Sequence, residues 1–335
     1  MPHPELNRAS ALLGKDILIA QGAGGNTSFK DFNSNALYIK ASGKKLKNAE
    51  SENIFTKIDL NKAVNWLHTN QDIFPQDWHL ESDALRPSIE TSMHLVFKEK
   101  AVFHTHPVDI IFQTLFQKGR DNLNKALERF NFAYIKYVKP GRPLTQEITQ
   151  HPLFGKTNVF VLENHGLITC GDEIIETLNL TQEVVKSCSQ PPREAIALMQ
   201  FPSHPLPSSL SKSYQWAKSP LIHCLSTDPH LIKLFDVSNN VLYPDQAVFF
   251  GSSSHHVNTI NEIDSQINEP CIVIRNKGVL INKENNLLIE ELLLNHIQIL
   301  LRLPADIDPH YLPQENINQL INWEAEIFRK QINHE

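Results

Sequence analysis

Short apolar runs with the character of β-strands alternate along this chain with segments whose apolar residues recur at helical spacing. The runs ALYIKASG, AVFHTHP and NVFVLENHGLITCG are β-like. Segments that follow them, such as VDIIFQTLFQKG and DEIIETLNLTQEVVKSC, suit helices packed on a sheet. This alternation predicts a fold of the α/β or α+β class.

The composition limits the classes of molecule that the protein is expected to bind. The formal charge is −6 over 335 residues, and no arginine-rich helix or basic stripe with interleaved aromatic residues occurs. The most apolar late stretch, LLIEELLLNHIQILLRLP, is interrupted by Glu290 and Glu291, and the N-terminus lacks the apolar core of a signal peptide. We therefore expect a small-molecule partner, no nucleic acid and no membrane span.

The four cysteines lie far apart, at positions 170, 188, 224 and 271. None forms the close pair that a thiolate metal site or a redox motif requires. We expect buried, reduced cysteines, and without an export signal the reducing cytoplasm is the predicted location.

A stretch rich in Pro and Ser near residues 189–213 predicts a domain boundary. The predicted division is a first domain over residues 1–190, a linker over 191–213 and a second domain over 214–335. The segments that start at Thr157 and Glu269 align without gaps at an offset of 112 residues, and a Tyr-Pro element lies upstream of each. The second half is therefore interpreted as a diverged copy of the first.

Two histidines, His104 and His106, alternate along a β-like stretch, so both side chains point to one face of the predicted sheet. A catalytic zinc ion usually has three protein ligands and one open position, and His165 in ENHGLIT is the best candidate for the third ligand. Any single one of the sixteen histidines is more often a surface or core residue. The hypothesis of a metal site therefore depends on all three histidines together with an upstream carboxylate, Glu90.

Glu90 lies in RPSIETSMHLVFKEK, where Pro87 and Ser88 predict a helix start with Glu90 in the first turn. On its own, such a carboxylate would only complement the helix dipole. His94 falls one turn later on the same face, and packing or support of a ligand is a more natural role for it than metal binding.

Six motifs occur along the first half in the order GGNTS, ASGKKL, RPSIETSMH, AVFHTHP, YVKPG and VLENHGLITCG. In this order they resemble the class II aldolase/adducin family, which includes fuculose-phosphate and rhamnulose-phosphate aldolases, over roughly residues 5–190. The resemblance implies a three-layer fold with a central, mainly antiparallel sheet flanked by helices, and the internal alignment predicts that this fold is duplicated. It also implies that His104, His106 and His165 hold Zn²⁺ or another divalent ion such as Mn²⁺ or Co²⁺.

The chemistry that this resemblance implies is aldol cleavage or addition on a small sugar-phosphate-like or hydroxy-keto substrate, through an enediolate that the ion stabilises. Glu90 would move the proton next to the carbonyl. Tyr137 stands where such aldolases place a tyrosine that protonates the departing aldehyde oxygen. A packed strand tyrosine is an equal alternative, and Tyr134 is a neighbouring candidate for the same role.

The motifs GGNTS and ASGKK resemble the loops with which the family binds a substrate phosphate. The predicted anion site consists of Asn26, Thr27, Ser42, Gly43, Lys44 and Ser88. The alternative is a set of ordinary turns with solvated lysines. Ile89 stands where a second serine is common in the family, so one phosphate donor is missing and the anion could equally be a carboxylate or a less charged group.

In the second half, Lys277 matches His165 and no HTH motif precedes it; the nearest analogue is His223. We therefore predict a non-catalytic lobe. Its YPDQ element resembles one in the aldolase regions of long aldolase–dehydrogenase fusion proteins. Because family active sites lie at subunit junctions, the resemblance implies a homo-oligomer, a dimer or a tetramer, and a duplicated lobe favours the smaller assembly.

Two alternatives stay open at this stage. Epimerases, dehydratases and decarboxylases of the same family use the same enediolate chemistry, and the sequence does not separate them from aldolases. An adducin-like interaction module would keep the fold without the chemistry, and the retention of Glu90 and the three histidines argues against it.

Overall fold

The computed structural model of the protein describes residues 3–69, 78–81, 85–197, 200–202, 205–235, 241–250, 255–264, 267–323 and 326. The chain divides into two compact units, Met1–Ser189 and Gln190–Glu335. Within the described residues, no helix combines the length and the apolar character needed to cross a membrane.

A seven-stranded sheet lies at the centre of the first unit. Its described strands are β1 (Asn26–Asp31), β2 (Ala36–Lys40), β3 (Phe55–Asp59), β4 (Ala101–Thr105), β5 (Ala133–Ile135), β6 (Val159–Leu162) and β7 (Gly166–Gly171). Their order is β3-β2-β1-β4-β7-β6-β5, and every neighbouring pair is antiparallel except β5 with β6. The prediction of a mainly antiparallel sheet is confirmed.

Helices cover both faces of this sheet. Those described are α1 (Pro4–Lys15), α2 (Leu60–Leu67), α3 (Thr91–Val96), α4 (Val108–Thr114), α5 (Gln117–Leu127), α6 (Arg142–Gln150) and α7 (Ile174–Ser187). Successive side chains of β6 alternate between them: Val159 and Val161 pack with α4, α5 and α7, whereas Phe160 and Leu162 pack with α3 and α6. The predicted three-layer arrangement of helix, sheet and helix follows.

The structure corrects one predicted helix start. Glu90 was expected in the first turn of a helix capped by Ser88, but α3 begins at Thr91, and Glu90 occupies the N-cap position without a capping bond from its side chain. Pro87 forms an antiparallel bridge with Ala41, and a turn follows in which the Ser88 hydroxyl accepts from the backbone N–H of Glu90 at 3.2 Å. The Glu90 carboxylate therefore does not cap the helix.

The second unit contains a smaller sheet. Its described strands are β8 (Tyr214–Trp216), β9 (His255–Val257), β10 (Cys271–Ile274) and β11 (Gly278–Asn282), in the order β8-β11-β10-β9. Its described helices are α8 (Ser208–Ser211), α9 (Pro220–His223), α10 (Pro229–Phe235), α11 (Pro244–Phe250), α12 (Asn286–Leu300) and α13 (Gln314–Ile321). Arg193 forms an ion pair with Asp228 at 2.7 Å, so the start of the interval interpreted as a linker is bound to this unit. The limits of the linker stay a prediction.

The four strands of the second sheet repeat the arrangement of β4, β7, β6 and β5. Strand order and relative directions agree, with one parallel pair at the edge of each set. The register also agrees at an offset of 112 residues, because Trp216 pairs with Leu280 as His104 pairs with Ile168. The asparagine in the turn that follows β6 or β10 is left-handed in both units, with φ of 54° and 56°. The repeat is partial, since α6 follows β5 whereas α11 precedes β9.

Gly166 lets β7 lie close against β4. A Cβ atom at this position would lie 2.2 Å from the carbonyl oxygen of Thr105 and 3.2 Å from a ring carbon of His106. A side chain of any size would therefore push the two strands apart. The absence of a side chain at Gly166 therefore allows β7 to pack closely against the segment that carries His104 and His106.

We expect Gly166→Ala to destabilise the protein by about 2–3 kcal/mol, because overpacking forces backbone shifts. Gly155→Ala is the matched control: no atom lies within 4 Å of its added Cβ. Only its left-handed backbone opposes that change, at a cost of about 1 kcal/mol. Urea unfolding measures both variants, and equal destabilisation would contradict the importance of this close approach.

Candidate metal centre

Three histidines of the first unit meet at the end of β4. His104 lies on β4, His106 follows two residues later, and His165 lies in the turn between β6 and β7; all three are at most 6% exposed. Nε2 of His104 and Nε2 of His106 are 3.1 Å apart, and one nitrogen of each ring lies within 4.8 Å of the others. Two nitrogens bound to one tetrahedral zinc ion are about 3.3 Å apart, so the spacing suits such an ion.

Backbone carbonyl groups fix the orientation of the cluster. Nδ1 of His104 donates to the carbonyl oxygen of Leu167 at 3.0 Å, which leaves the lone pair of Nε2 facing the other two rings. The side-chain amide of Gln21 donates to the carbonyl oxygen of His106 at 2.7 Å. Strand pairing and the preceding loop thus set the positions of the candidate ligands.

The Glu90 carboxylate lies against this cluster and is 6% exposed. Oε2 is 3.5 Å from Nε2 of His104, and Oε1 is 3.7 Å from Nε2 of His165. Among the described residues, Oε1 has no hydrogen-bond partner. A buried carboxylate oxygen in this condition indicates a place for an ion, a water molecule or a substrate proton. Three imidazoles beside such an oxygen fit a divalent metal ion.

A chain of buried hydrogen bonds holds Glu90. Nδ2 of Asn26 donates to Oε2 of Glu90 at 2.7 Å and to Oγ of Ser88 at 3.2 Å. His94 contacts Oδ1 of Asn26 through Nε2, and its Nδ1 lies 2.7 Å from Oγ of Ser28. The Asn26 amide turns its NH₂ group towards Glu90, so its Oδ1 faces His94. His94 must then donate from Nε2, and the Ser28 hydroxyl donates to Nδ1.

The protonation of His94 agrees with this chain. Burial, together with the nearby His104 and Lys30, holds the pKa of His94 well below its usual range. A neutral imidazole has one donor and one acceptor nitrogen, as the chain requires. His94 thus supports Asn26 and Glu90 and does not belong to the three-histidine cluster.

Four of the predicted anion-binding residues lie near one another. The segments that carry Ser42 and Ser88 run side by side, joined by hydrogen bonds from the backbone N–H group of each. Gly43 has the left-handed φ of 77° that the turn after Ser42 needs. Asn26 reaches Ser88 directly. These four residues form one neighbourhood beside Glu90.

A buried lysine ties the two glycine-containing loops together. Lys40 is 2% exposed, and its Nζ donates to the carbonyl oxygen of Ala23 at 2.9 Å and to that of Lys44 at 2.6 Å. One carbonyl belongs to the GAGG loop and the other to the SGK loop. The ammonium group therefore fixes the separation of the loops and adds positive charge beneath them.

The side chains of two predicted anion-binding residues point elsewhere. The hydroxyl of Thr27 is 2.7 Å from that of Ser10 on α1, on the sheet face opposite to Asn26, because neighbouring residues of a strand face opposite ways. The ammonium group of Lys44 forms an ion pair with Glu52 at 3.2 Å. For these two residues the structure does not bring the side chain to the site.

Tyr137 and Tyr134 are both anchored by Glu163. The backbone N–H of Tyr137 donates to Oε2 at 3.0 Å, while the hydroxyl of Tyr134 donates to Oε1 at 3.2 Å. Arg120 forms an ion pair with the same carboxylate at 2.5 Å. Burial, with Glu163 nearby, raises the pKa of Tyr134. The Tyr134 hydroxyl is therefore engaged in this cluster, whereas Tyr137 contacts Glu163 through its backbone.

The described part of the second unit holds no equivalent histidine cluster. At the offset of the repeat, the counterparts of the three candidate ligands are Trp216, Lys218 and Lys277. The choice of His223 as the nearest analogue is wrong, because that residue lies on α9. Its Nδ1 accepts from the backbone N–H of Val279 and its Nε2 donates to the carbonyl of Ala217, each at 3.0 Å.

Sequence patterns missed Gln21, Lys40 and Glu163. Gln21 and Glu163 act on backbone groups that only the folded chain brings near, and no local spacing indicates this. For Lys40 the sequence offered one indication, because this charged residue ends the apolar run ALYIK. All five residues of that strand are buried. A buried lysine requires carbonyl or carboxylate partners.

The comparison with protein families agrees with the motifs and the fold. The family model for the class II aldolase and adducin N-terminal domain matches residues 5–190, more than half of the chain. The chain belongs to the class II aldolase and adducin family. The family assignment covers the unit that contains the three histidines and Glu90.

Relatives in this family differ in their stated activities. An uncharacterised oxidoreductase, YuxG of Bacillus subtilis, is 27% identical over 261 residues, which are 71% of this chain and 37% of that protein. This match extends beyond the first unit, and the chain spans little more than a third of that relative. An L-fuculose phosphate aldolase of Methanococcus maripaludis is 26% identical over 178 residues, 50% of this chain and 83% of that protein.

Among solved structures, the N-terminal class II aldolase domain of a conserved protein from Thermoplasma acidophilum is 25% identical with a TM-score of 0.47. The match covers 56% of this chain and 92% of that one.

We expect the purified protein to carry close to one divalent ion per chain and His104→Ala to lose it, because structural and catalytic zinc sites use at least three protein ligands. His68→Ala, at an exposed position of the same unit, is the control and should keep the ion. Metal analysis after dialysis against metal-free buffer is the measurement. Equal metal content in both variants would contradict the assignment of the cluster.

We expect His94→Leu to cost about 1–3 kcal/mol of stability, because Asn26 and Ser28 would each lose a buried hydrogen-bond partner. His68→Leu again serves as the exposed control. Urea unfolding compares the two variants. A loss within about 0.5 kcal/mol for His94→Leu, the usual size of a surface effect, would show that the chain of hydrogen bonds is dispensable.

Proposed function

We propose that the protein is a divalent-metal-dependent lyase of the aldolase type. It would cleave or form a C–C bond next to the carbonyl of a small sugar-phosphate-like or hydroxy-keto substrate. The observation that carries this proposal is the buried Glu90 carboxylate, 3.5 and 3.7 Å from two rings of the histidine cluster, with an oxygen that no described residue binds.

Glu90 would take or return the proton on the carbon next to the substrate carbonyl. An ion held by His104, His106 and His165 would supply Lewis-acid stabilisation of the negative charge that develops on the substrate oxygens. Asn26 binds Oε2 of Glu90, so the free oxygen, Oε1, is the atom for proton transfer. The amide also keeps the carboxylate from rotating, which holds the proton acceptor at one place.

Tyr137 would take the proton from the hydroxyl group that becomes the aldehyde during cleavage, and would return it to that oxygen during addition. Its backbone is fixed by Glu163, which also occupies the hydroxyl of Tyr134. The proton that Glu90 handles and the one that Tyr137 handles are thus carried by separate groups. Such a division of acid and base roles is what a reversible C–C cleavage requires.

The anionic part of the substrate would bind between the two loops that Lys40 joins. Asn26, Ser42, Gly43 and Ser88 supply amide and hydroxyl donors there. Thr27 and Lys44 would contribute through their backbones alone, because their side chains are bound elsewhere. With Ile89 in place of a further hydroxyl, we propose a small anionic substrate whose charge is carried by either a phosphate or a carboxylate.

Other activities of the same family are alternatives that experiments can distinguish from an aldolase. An epimerase, dehydratase or decarboxylase would use Glu90 or the ion in the same way but form different products. An adducin-like interaction module would bind metal weakly or not at all and turn over no substrate. Product analysis separates the first three from an aldolase, and metal analysis separates the module from all of them.

We further propose a cytoplasmic location and a homo-oligomer, a dimer or a tetramer. The four cysteines are all buried and free, as expected in a reducing compartment. The division into a catalytic domain over 1–190, a linker over 191–213 and a non-catalytic lobe over 214–335 is part of the same proposal. The lobe has lost each counterpart of the histidine ligands.

Glu90→Gln should lower the turnover of the active substrate by about 10²–10⁴-fold while the metal content is unchanged, because the amide cannot accept the proton. A panel of sugar phosphates and hydroxy-keto acids supplies the substrates for the metal-loaded protein. Exchange of the substrate proton with deuterated solvent gives a second readout. Glu128→Gln, at an exposed position, is the control.

Two results would overturn the role of Glu90. One is turnover of Glu90→Gln within a factor of about two of the wild-type protein, since a general base contributes far more. The other is unchanged proton exchange together with loss of product, which would place the proton transfer on a different group.

A further inference from the structure

A cavity of about 230 Å³ lies in the second unit, at the carboxyl ends of the parallel strands β9 and β10. Its lining includes Ser226, Ile232, His256, Asn258, Val273 and Arg275. The volume is below the roughly 300 Å³ at which pockets for drug-sized ligands begin, so only a small molecule fits. Crevices at the carboxyl ends of parallel strands are common ligand sites.

The corresponding place in the first unit is filled. There the guanidinium of Arg120 lies 2.5 Å from a carboxylate oxygen of Glu163 and 5.5 Å from the ring centre of Tyr134. The Tyr134 hydroxyl donates to the same carboxylate. A salt bridge and an aromatic ring thus occupy the space between β5, β6 and α5.

Backbone bonds establish which residues correspond at the two helices. The N–H of Arg120 in α5 donates to the carbonyl of Phe116, and the N–H of Ile232 in α10 donates to that of Asp228; each acceptor is the residue just before the helix. In each helix the donor lies four residues after its acceptor, and the two donors, Arg120 and Ile232, are 112 residues apart in the sequence. Ile232 is therefore the counterpart of Arg120.

The strands give the other two correspondences. Glu163 donates from its N–H to the carbonyl of Ile135 in β5, and Arg275 donates likewise to that of Val257 in β9, both at 2.9 Å. Arg275 is therefore the counterpart of Glu163. The residue one place earlier on each edge strand is Tyr134 in β5 and His256 in β9, and each pairs with the equivalent valine of the next strand.

These three exchanges explain the cavity and its charge. Isoleucine in place of arginine, and histidine in place of tyrosine, leave unfilled the volume that a long side chain and a larger ring occupy in the first unit. Arginine in place of glutamate reverses the charge at the mouth. Arg275 is exposed and forms no ion pair with any described residue.

The nearby carboxylates have other partners. Glu262 accepts from the backbone N–H of Asn258 at 3.0 Å and from the Thr259 hydroxyl at 3.1 Å. Asp228 holds Arg193 in a two-pronged ion pair. Neither lines the cavity. The positive charge of Arg275 is thus left for a ligand.

We propose that this cavity binds a small oxyanion, the phosphate or carboxylate group of a small metabolite, with Arg275 as the principal contact. The planar guanidinium offers two parallel N–H donors that match such a group. His256 and Asn258 lie around the same space and add polar surface. The second unit would then be a binding lobe for an anionic small molecule, separate from the metal centre of the first unit.

Isothermal titration of the full chain with inorganic phosphate and, in a second arm, with malonate tests this proposal. Arg275→Gln should weaken binding of the preferred anion by about tenfold or more, as expected for the loss of a charge-assisted bidentate contact. Ile232→Phe, which fills the cavity and leaves Arg275 in place, should weaken it likewise. Arg129→Gln removes the same charge from an exposed site of the first unit and should change the affinity by less than about twofold.

The other outcomes either identify the preferred anion or overturn the proposal. Stronger binding of phosphate identifies a phosphate ester as the ligand, and stronger binding of malonate identifies a carboxylate; either supports the site. Because Arg275 is exposed, its replacement should leave the thermal unfolding curve unchanged, so lost binding is not lost folding. Affinity that is unchanged in Arg275→Gln, or equally weakened in Arg129→Gln, or absent in the wild-type protein, overturns the proposal.

Discussion

The antiparallel pairing of β4 with β7 determines the position of the candidate ligands. It places the turn that carries His165 beside the end of β4, where His104 and His106 lie, and the absence of a side chain at Gly166 permits the close approach. The register also brings the carbonyl of Leu167 to the ring of His104, which fixes the orientation of that imidazole. A slip by one residue would reverse the faces of the side chains and separate the three rings.

Around this pairing, Glu90, Asn26, His94 and Ser28 are buried and joined by hydrogen bonds, and Oε1 of Glu90 has no hydrogen-bond partner among the described residues. A low dielectric makes each unpaired buried group costly, so a chain such as Ser28, His94 and Asn26 holds its carboxylate in one orientation. The same principle governs Lys40, whose buried charge is bound by two carbonyl groups. The protein thus stabilises the loops and the Glu90 side chain with contacts that leave Oε1 without a hydrogen-bond partner among the described residues.

Much of this arrangement could be predicted from the sequence, because strand periodicity and motif order are local properties. They indicated the mainly antiparallel sheet and selected the three histidines that the fold brings together. What failed depended on register or on distant partners. The two-residue period of a strand already implies that Thr27 faces away from Asn26, whereas the ion pair of Lys44 with Glu52 and the extended start of the Glu90 segment follow from tertiary contacts. His223 was misassigned because the gapless register makes β8, not α9, the counterpart of the strand that carries the HTH motif.

The central claim is that these three histidines bind one divalent ion. Diffraction from crystals of the zinc-loaded protein, recorded on both sides of the zinc absorption edge, tests it most directly. The account predicts one strong anomalous peak about 2.0–2.1 Å from a nitrogen of each ring of His104, His106 and His165. A peak at any other group of residues, or no peak at the three histidines in zinc-saturated crystals, would contradict it.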